Sequence, residues 1–474
     1  MTATAASNAI TTIDPSTGAR LAEYPVHGPA AVDTALDRAA QAFRVWRYRR
    51  HDERARLLAA LAASLRARKS ELAMLATREM GKTIVEAEAE IEKCALCCDH
   101  YARHGAAALA DERVATSATE SYVAFRPLGV LLAIMPWNFP YWQAFRALVP
   151  AMLAGNAVVL KHAANVTGCA IEIERVVRDA GFPEGTFTTL IVASHEMEAV
   201  VADSRIAAVT LTGSEAAGSA VAATAGRQLK KTVLELGGSD AFIVLSDADV
   251  EAAAETAVKA RFQNNGQSCI AAKRFIIETP VHDAFLEAFV EEARRLRIGD
   301  PSDRATQLGP LARKDLRESL VVQVERSREL GARVATGGTP IEHPGYYYAP
   351  TILSDVKPGM PAFDEETFGP VAAVIRANDL EECVTLANAS QYGLGGNLWS
   401  RDVERAKSIA GRLESGAVFI NGMTASDPRL PFGGVKKSGY GRELAAYGIR
   451  EFVNVQTIWI GPAGNERPGA TPAE

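Results

Sequence analysis

Hydrophobic positions along the chain change their period near residue 120. Before that point they recur at helical spacing. Leu57, Leu58, Leu61 and Leu65 mark a helix over 52–69, and a second covers about 84–109. The first hundred residues therefore read as helices. Short continuous apolar runs then take over, with strands at 121–126 and 129–135. Further runs at 157–160, 188–192, 207–211 and 232–234 alternate with helical stretches at 167–180, 195–202 and 215–225. After Gly237-Gly238 the alternation resumes. Strands are expected at 242–245, 274–278, 371–375, 395–398 and 417–420, and helices at 248–262 and 283–296. Strand–helix alternation of this kind builds parallel sheets with helices on both faces, so the fold class is α/β, with two units joined near residue 237. The Pro- and Gly-rich stretch after Ile460 reads as a disordered tail, and no repeat at a solenoid period is visible.

Composition narrows the function classes without naming one. The 474 residues carry 51 Lys+Arg against 57 Asp+Glu, a formal −6, and contain no basic block, which excludes nucleic acid as the main partner. The longest apolar run, 129–135, stops at Pro136, far short of the roughly 20 residues of a membrane span. Residues 1–10 have neither a basic region nor an apolar run, so no signal peptide is expected. The 6 cysteines are sparse and irregularly spaced. That argues for a reducing, cytoplasmic setting and against a disulfide framework.

Three residues carry candidate chemistry. Cys269 ends the polar loop QNNGQSC (263–269), where a thiol can be reached and ionised; idle loop cysteines are as common. Glu235, in LELGG (234–238), ends a strand where α/β sheets place ligands, a position also open to a surface or capping glutamate. Asn138, in the rigid PWNFP turn (136–140), is an oxyanion donor or an ordinary turn residue. Cys94, Cys97, Cys98 and His104 share roughly a third of one helix circumference, with His100 nearby. No second cysteine pair accompanies them, so a buried, inert face is expected and no metal.

Together these segments resemble the aldehyde dehydrogenase superfamily from about residue 13 to 460. The matches are PWNFP (136–140), LELGG (234–238), GQSC (266–269), EETFGP (365–370) and PFGGVKKSGYGRE (431–443), in family order and spacing. The resemblance implies two Rossmann-like parallel-sheet domains plus a small β oligomerisation arm. A dinucleotide-binding domain would span 1–110 and 127–236, a catalytic domain 237–445, the arm 111–126 and 446–462, and the disordered tail 463–474. It implies Cys269 as the nucleophile, Asn138 with the Cys269 N–H as oxyanion donors, and Glu235 as the general base that admits water.

No GxGxxG fingerprint exists; instead TLTGSEAAG (210–218) resembles the family variant, with Gly213 and Ser214 at the pyrophosphate. Trp137 and Lys161 match residues flanking the adenosine, Glu366 the carboxylate on the nicotinamide ribose, and Phe368 the ring beside it. Ala164 stands three residues after Lys161, where members preferring NAD often carry Glu. Loss of that repulsion favours NADP, with Lys161 on the phosphate; the alternative is that both NADP and NAD work.

KHAAN (161–165), FPYWQAFR (139–146) and SDPRLPFGG (426–434) resemble the succinate semialdehyde dehydrogenase branch, especially its bacterial NADP-using members. By that resemblance Arg146 receives the substrate carboxylate and Ser426 adds a hydroxyl. Read alone, Arg146 is equally a surface arginine packing on Trp142. A second arginine of many branch members is replaced by Gln263, leaving Arg146 alone or with help from Arg429. Ala271 removes the partner for a disulfide switch. The expected reaction is oxidation of succinate semialdehyde to succinate through a cysteine thiohemiacetal and thioester. A broader aldehyde dehydrogenase and a non-catalytic binding protein are the alternatives, and the retained Glu235 disfavours acyl transfer to coenzyme A. A homodimer or homotetramer is expected through 121–126 and 453–460, which otherwise are internal edge strands.

Overall fold

The computed structural model describes residues 9–462, so the tail expected at 463–474 lies outside the described residues. Two large sheets organise the chain. The first has six strands in the order Gly439–Tyr440, Lys231–Glu235, Ile206–Thr212, Val130–Met135, Ala157–His162 and Phe187–Leu190. All neighbours are parallel except Gly439–Tyr440, which pairs antiparallel with Lys231–Glu235. Ala157–His162 is buried along its whole length and Val130–Met135 along nearly all of it, as unbroken apolar strands must be when helices cover both faces. From Val130–Met135 the strand order runs outward in both directions. The PWNFP turn, directly after it, therefore sits at the topological switch point, where α/β sheets open a crevice.

The second sheet has seven strands: Arg333–Thr336, Thr351–Ser354, Val371–Ala377, Ala272–Glu278, Asp240–Val244, Gly395–Trp399 and Ala417–Ile420. Only its first pair is antiparallel. A third, antiparallel sheet orders Val453–Ile460, Glu120–Pro127 and Glu112–Arg113.

Several local expectations need correction. The chain opens on a β-hairpin, Ala9–Ile13 with Arg20–Pro25, and not on a helix. Its strands are only partly buried, so apolar periodicity carried little signal there. The helices Pro29–Trp46 and Lys69–Met80 lie within the expected helical first hundred residues, whereas Lys314–Glu329 is not among the expected helices; it buries only Leu320, Val324 and Ser327. Residues 445–451 form a helix, so of 446–462 only Val453–Ile460 joins the small sheet.

The Trp142–Ala154 helix and the strand after it carry much of the candidate site, and one glycine joins them. Gly155 takes φ +102° at the helix end, and a Cβ there would lie 2.3 Å from Arg54 Nη1. Buried Arg54 occupies that space to donate to Leu153 O (2.7 Å), one of the carbonyls a helix end leaves without a partner. Asn156 then accepts from Gly129 N–H (3.1 Å) and donates to Ala151 O (3.2 Å) and Phe452 O (2.9 Å). Gly155→Ala is predicted to cost about 2 kcal/mol or more, since it combines a left-handed residue with displacement of a buried cation. Thermal unfolding checks this: an unchanged midpoint would remove the claim that this junction is tightly determined.

Candidate active site

Cys269 lies in the connection between the Val250–Phe262 helix and the Ala272–Glu278 strand. Asn264 (φ 53°), Asn265 (φ 57°) and Gly266 (φ 73°) turn left-handed in succession before it. Asparagine tolerates that region better than most residues, and here both amides are tied down. Asn265 Nδ2 donates to Gly81 O (2.8 Å) and Pro310 O (2.9 Å), and its Oδ1 accepts from Gly309 N–H (2.7 Å). Asn264 Nδ2 donates to Asn138 O (2.8 Å) and Gln267 O (3.0 Å). A Cβ at Gly266 would lie 2.4 Å from the Gly369 carbonyl, which brings EETFGP against the loop.

Two buried cations gather the carbonyls that remain. Arg261 donates to Gly266 O (2.7 Å), Ala272 O (3.1 Å), Thr367 O (3.2 Å) and Gly369 O. Lys273 Nζ donates to the carbonyls of Ser268 (3.0 Å), Cys269 (2.9 Å) and Ala271 (3.2 Å), and stands 3.6 Å from Glu366. Burial lowers Lys273 from its ordinary value and Arg261 to about 9. Burial pushes the Cys269 thiol up to about 12, opposed by the charges of Arg146 and Lys273. At neutral pH the resting thiol therefore holds its proton, and attack requires a base.

Buried Asn138 donates through Nδ2 to Gln267 O (3.0 Å). The second hydrogen of that amide and the Cys269 N–H have no acceptor among the described residues, which leaves two donors for a developing oxyanion.

Glu235 ends its strand with both carboxylate oxygens buried and without a hydrogen-bond partner among the described residues. Burial, and secondarily the charge of Glu443, push it well above the usual carboxylate range; Arg146 and Arg442 pull the other way. Glycines around this strand end let neighbouring segments approach for steric reasons. A Cβ at Gly433 would lie 2.7 Å from Glu235 Oε1, one at Gly237 2.7 Å from Glu366 Oε2, and one at Gly238 2.5 Å from the Cys269 carbonyl. LELGG is thus a carboxylate followed by two positions that admit only hydrogen.

A cavity of about 370 Å³ is lined by Trp137, Asn138, Gln143, Lys161, Gly213, Ser214, Cys269, Glu366 and Phe368. Ser214 caps the Glu215–Arg227 helix, its Oγ accepting from Ala217 N–H (3.3 Å), so a helix N-terminus opens onto this space. Trp137 and Phe368 meet edge to face at 5.6 Å. Glu366 accepts from Gly238 N–H (2.9 Å). A second cavity, about 520 Å³, shares Lys161, Ala163 and Arg313 with the first and adds Ala164, Asn165, Ser194 and Lys314. Lys161 donates to Ser194 Oγ (3.4 Å), and no carboxylate pairs with it among the described residues. A pyrophosphate-sized anion fits the helix end and a further phosphate fits the cations; the residues present suit a phosphorylated dinucleotide.

Arg146 and Ser426 line neither of these two cavities. Buried Arg146 is paired with Glu443, reaches Thr212 Oγ1 at 3.4 Å and covers the Phe432 ring at 4.4 Å. Ser426 Oγ accepts from Lys93 Nζ (2.7 Å) and Trp142 Nε1 (2.9 Å). Arg429 pairs with Asp427 (2.6 Å) while its side chain remains 76% exposed. Gln263 lines a different cavity, with Glu86 and Met423. Sequence reasoning passed over Arg261, Lys273, Glu443 and Lys93. Glu443 closes a motif that was in view, but its partner Arg146 comes from a remote helix.

Against known proteins, residues 2–458 match the model of the aldehyde dehydrogenase family. The chain is 51% identical over 459 residues to the succinate semialdehyde dehydrogenase [NAD(P)+] Sad of Escherichia coli, covering 97% of this chain and 99% of that one. It is 49% identical over 452 residues to a probable succinate-semialdehyde dehydrogenase [NADP(+)] of Synechocystis, covering 95% and 100%. A succinic semialdehyde dehydrogenase of Streptococcus pyogenes, solved with NADP+ as the cofactor, superposes with a TM-score of 0.93 at 38% identity, covering 96% and 100%.

The electrostatics of Glu235 yield a direct prediction. Burial and the charge of Glu443 raise it well above the usual carboxylate range, so its ionisation is lost as pH falls through that raised value. Glu443→Gln deletes the negative neighbour, and the transition moves to lower pH. Difference infrared spectroscopy of the protonated carboxyl band, assigned by its loss in Glu235→Gln, reads this out. A band that titrates identically with and without Glu443 would show that burial alone sets Glu235.

Proposed function

The chain belongs to the aldehyde dehydrogenase family, and from that premise we propose that it oxidises succinate semialdehyde to succinate with NADP. The observation that carries the chemistry is the meeting of the Cys269 thiol, the unpartnered Glu235 carboxylate and two free N–H donors beside a dinucleotide-sized cavity. In its ionised form Glu235 takes the proton of Cys269. The thiolate adds to the aldehyde carbon, a C–S bond forms, and the carbonyl π pair moves onto oxygen. Asn138 Nδ2–H and the Cys269 N–H receive that oxyanion. When bound, the dinucleotide supplies the acceptor for the hydride that leaves the carbon, and Cys269 is left as a thioester. Glu235 releases the thiol proton to solvent and, ionised again, draws a proton from water as the water attacks; the C–S bond breaks with its electron pair on sulfur, and the acid departs. A thiol nucleophile of this kind requires a reducing, cytoplasmic compartment.

The cofactor preference follows from the second cavity. Lys161, Arg313 and Lys314 supply positive charge, Ser194 a hydroxyl, and Ala164 offers no carboxylate to repel a 2′-phosphate. Gly213 and Ser214 would meet the pyrophosphate, Glu366 the nicotinamide ribose with Phe368 beside it, and Trp137, packed on Phe368, would flank the adenosine side. Copies pair through Val453–Ile460, an edge strand that exposes Val455 (60%) and Trp459 (52%), giving a dimer or tetramer.

One observation favours broader specificity: Arg146 already has a carboxylate partner in Glu443. Steady-state kinetics separate the readings. Succinate semialdehyde is predicted to exceed butanal in kcat/KM by at least about tenfold, and NADP to exceed NAD. Equal efficiency on the two aldehydes would favour the broader enzyme. Cys269→Ala is predicted to lower turnover by at least about 10³-fold while NADP still binds in a fluorescence titration. Retained turnover in that variant would overturn the mechanism.

A further inference from the structure

We propose that Lys273 is a positioning residue with two partners: it keeps Glu366 ionised for the nicotinamide ribose and holds the Cys269 main chain for attack. Cofactor capture and nucleophile geometry are thereby coupled through one buried ammonium. This rests on the reading of Glu366 as the ribose carboxylate and names the group that sustains its charge.

The contacts form a closed ring. Glu366 Oε1 accepts from Gly238 N–H (2.9 Å), and a Cβ at Gly238 would lie 2.5 Å from the Cys269 carbonyl. That carbonyl accepts from Lys273 Nζ (2.9 Å), and Nζ stands 3.6 Å from the same Glu366 oxygen. Glu366 and Cys269 both line the cavity of about 370 Å³. Lys273 is fully buried and lines neither that cavity nor its neighbour, so no direct contact with the dinucleotide falls to it.

An ammonium has three hydrogens. Lys273 gives them to the carbonyls of Ser268 (3.0 Å), Cys269 (2.9 Å) and Ala271 (3.2 Å). Glu366 is a fourth acceptor, held by charge alone, because 3.6 Å is too long for a hydrogen bond. The loop and the carboxylate therefore compete for one cation. Ribose hydroxyls donating to Glu366 would relieve that competition and leave Lys273 to the loop, so a filled cofactor site steadies the nucleophile.

The charges of the pair sustain each other. Burial raises the Glu366 carboxyl, and the charge of Lys273 is the largest influence against it. Burial lowers Lys273, and Glu366 is the largest influence against that, ahead of Asp240. The other neighbours are committed. Asp240 Oδ1 accepts from Gly395 N–H (3.0 Å), and Arg261 serves four carbonyls. Without Lys273 the buried Glu366 takes up a proton, and a neutral carboxyl is the poorer acceptor for hydroxyls.

The test is a double-substitution cycle on NADP affinity, read by fluorescence titration in wild type, Glu366→Gln, Lys273→Met and the double variant. Each single change is expected to weaken NADP by about fivefold or more, and Glu366→Gln to cost less than about twofold once Lys273 is gone. Difference infrared spectroscopy at neutral pH, assigned by the loss of its band in Glu366→Gln, is expected to show protonated Glu366 in Lys273→Met and none in wild type. Iodoacetamide alkylation of Cys269 without cofactor, followed by peptide mass, is expected to slow about fivefold or more in Lys273→Met. An unchanged rate would overturn the link to the nucleophile. If Glu366→Gln costs the same factor in both backgrounds, the two residues act independently and the coupling is refuted. A protonated Glu366 in wild type overturns it without any Lys273 variant. If Glu366→Gln alone leaves NADP affinity unchanged, Glu366 does not hold the ribose, and that reading falls together with this one.

Discussion

The site depends on a buried concentration of backbone carbonyls around Cys269 and on the two cations that hold them. A loop that turns through three left-handed residues points its carbonyls inward, where water cannot satisfy them. Arg261 and Lys273 between them receive carbonyls from the loop, from the strand after it and from EETFGP. Their desolvation is offset by these bonds and by the charge of Glu366 near Lys273. Neither cation need meet the substrate to matter. Without them the Cys269 main chain would not be held against Gly238, and the donor geometry at its N–H would be lost.

That constraint explains why the glycines recur where they do. Gly238 admits the Cys269 carbonyl, Gly266 admits the Gly369 carbonyl, and Gly433 admits the Glu235 carboxylate. Each removes a methyl-sized obstacle between two segments that come from different sheets or loops. Backbone approaching backbone at these distances leaves little room for relaxation, so the motifs are geometric devices as much as chemical ones.

How much of this was legible in the sequence varied with the range of the interaction. Most strands of the two large sheets were readable because doubly covered strands are unbroken apolar runs; the short Arg333–Thr336, Thr351–Ser354 and Gly439–Tyr440 at or near the sheet edges were not. The opening hairpin was not, since its exposed faces carry no such run. Cys269, Glu235 and Asn138 stood out through local motifs; Asn138 and Cys269 line one cavity, and the charge of Glu235 reaches the Cys269 thiol. Partners were the hidden part. Lys93 and Ser426 are 333 positions apart, and nothing in the spacing of either announces the other. The resemblance supplied a role for Arg146 but not the Glu443 side chain paired with it.

The three charges of Arg146, Glu443 and Glu235 then impose an order on the reaction. A buried set tolerates little net charge. Glu443 is paired with Arg146, whereas the Glu235 carboxylate has no hydrogen-bond partner among the described residues, and burial with the charge of Glu443 disfavours its ionised form. That raises the affinity of Glu235 for a proton, which is what a base must have to draw one from a thiol held near 12 or from water.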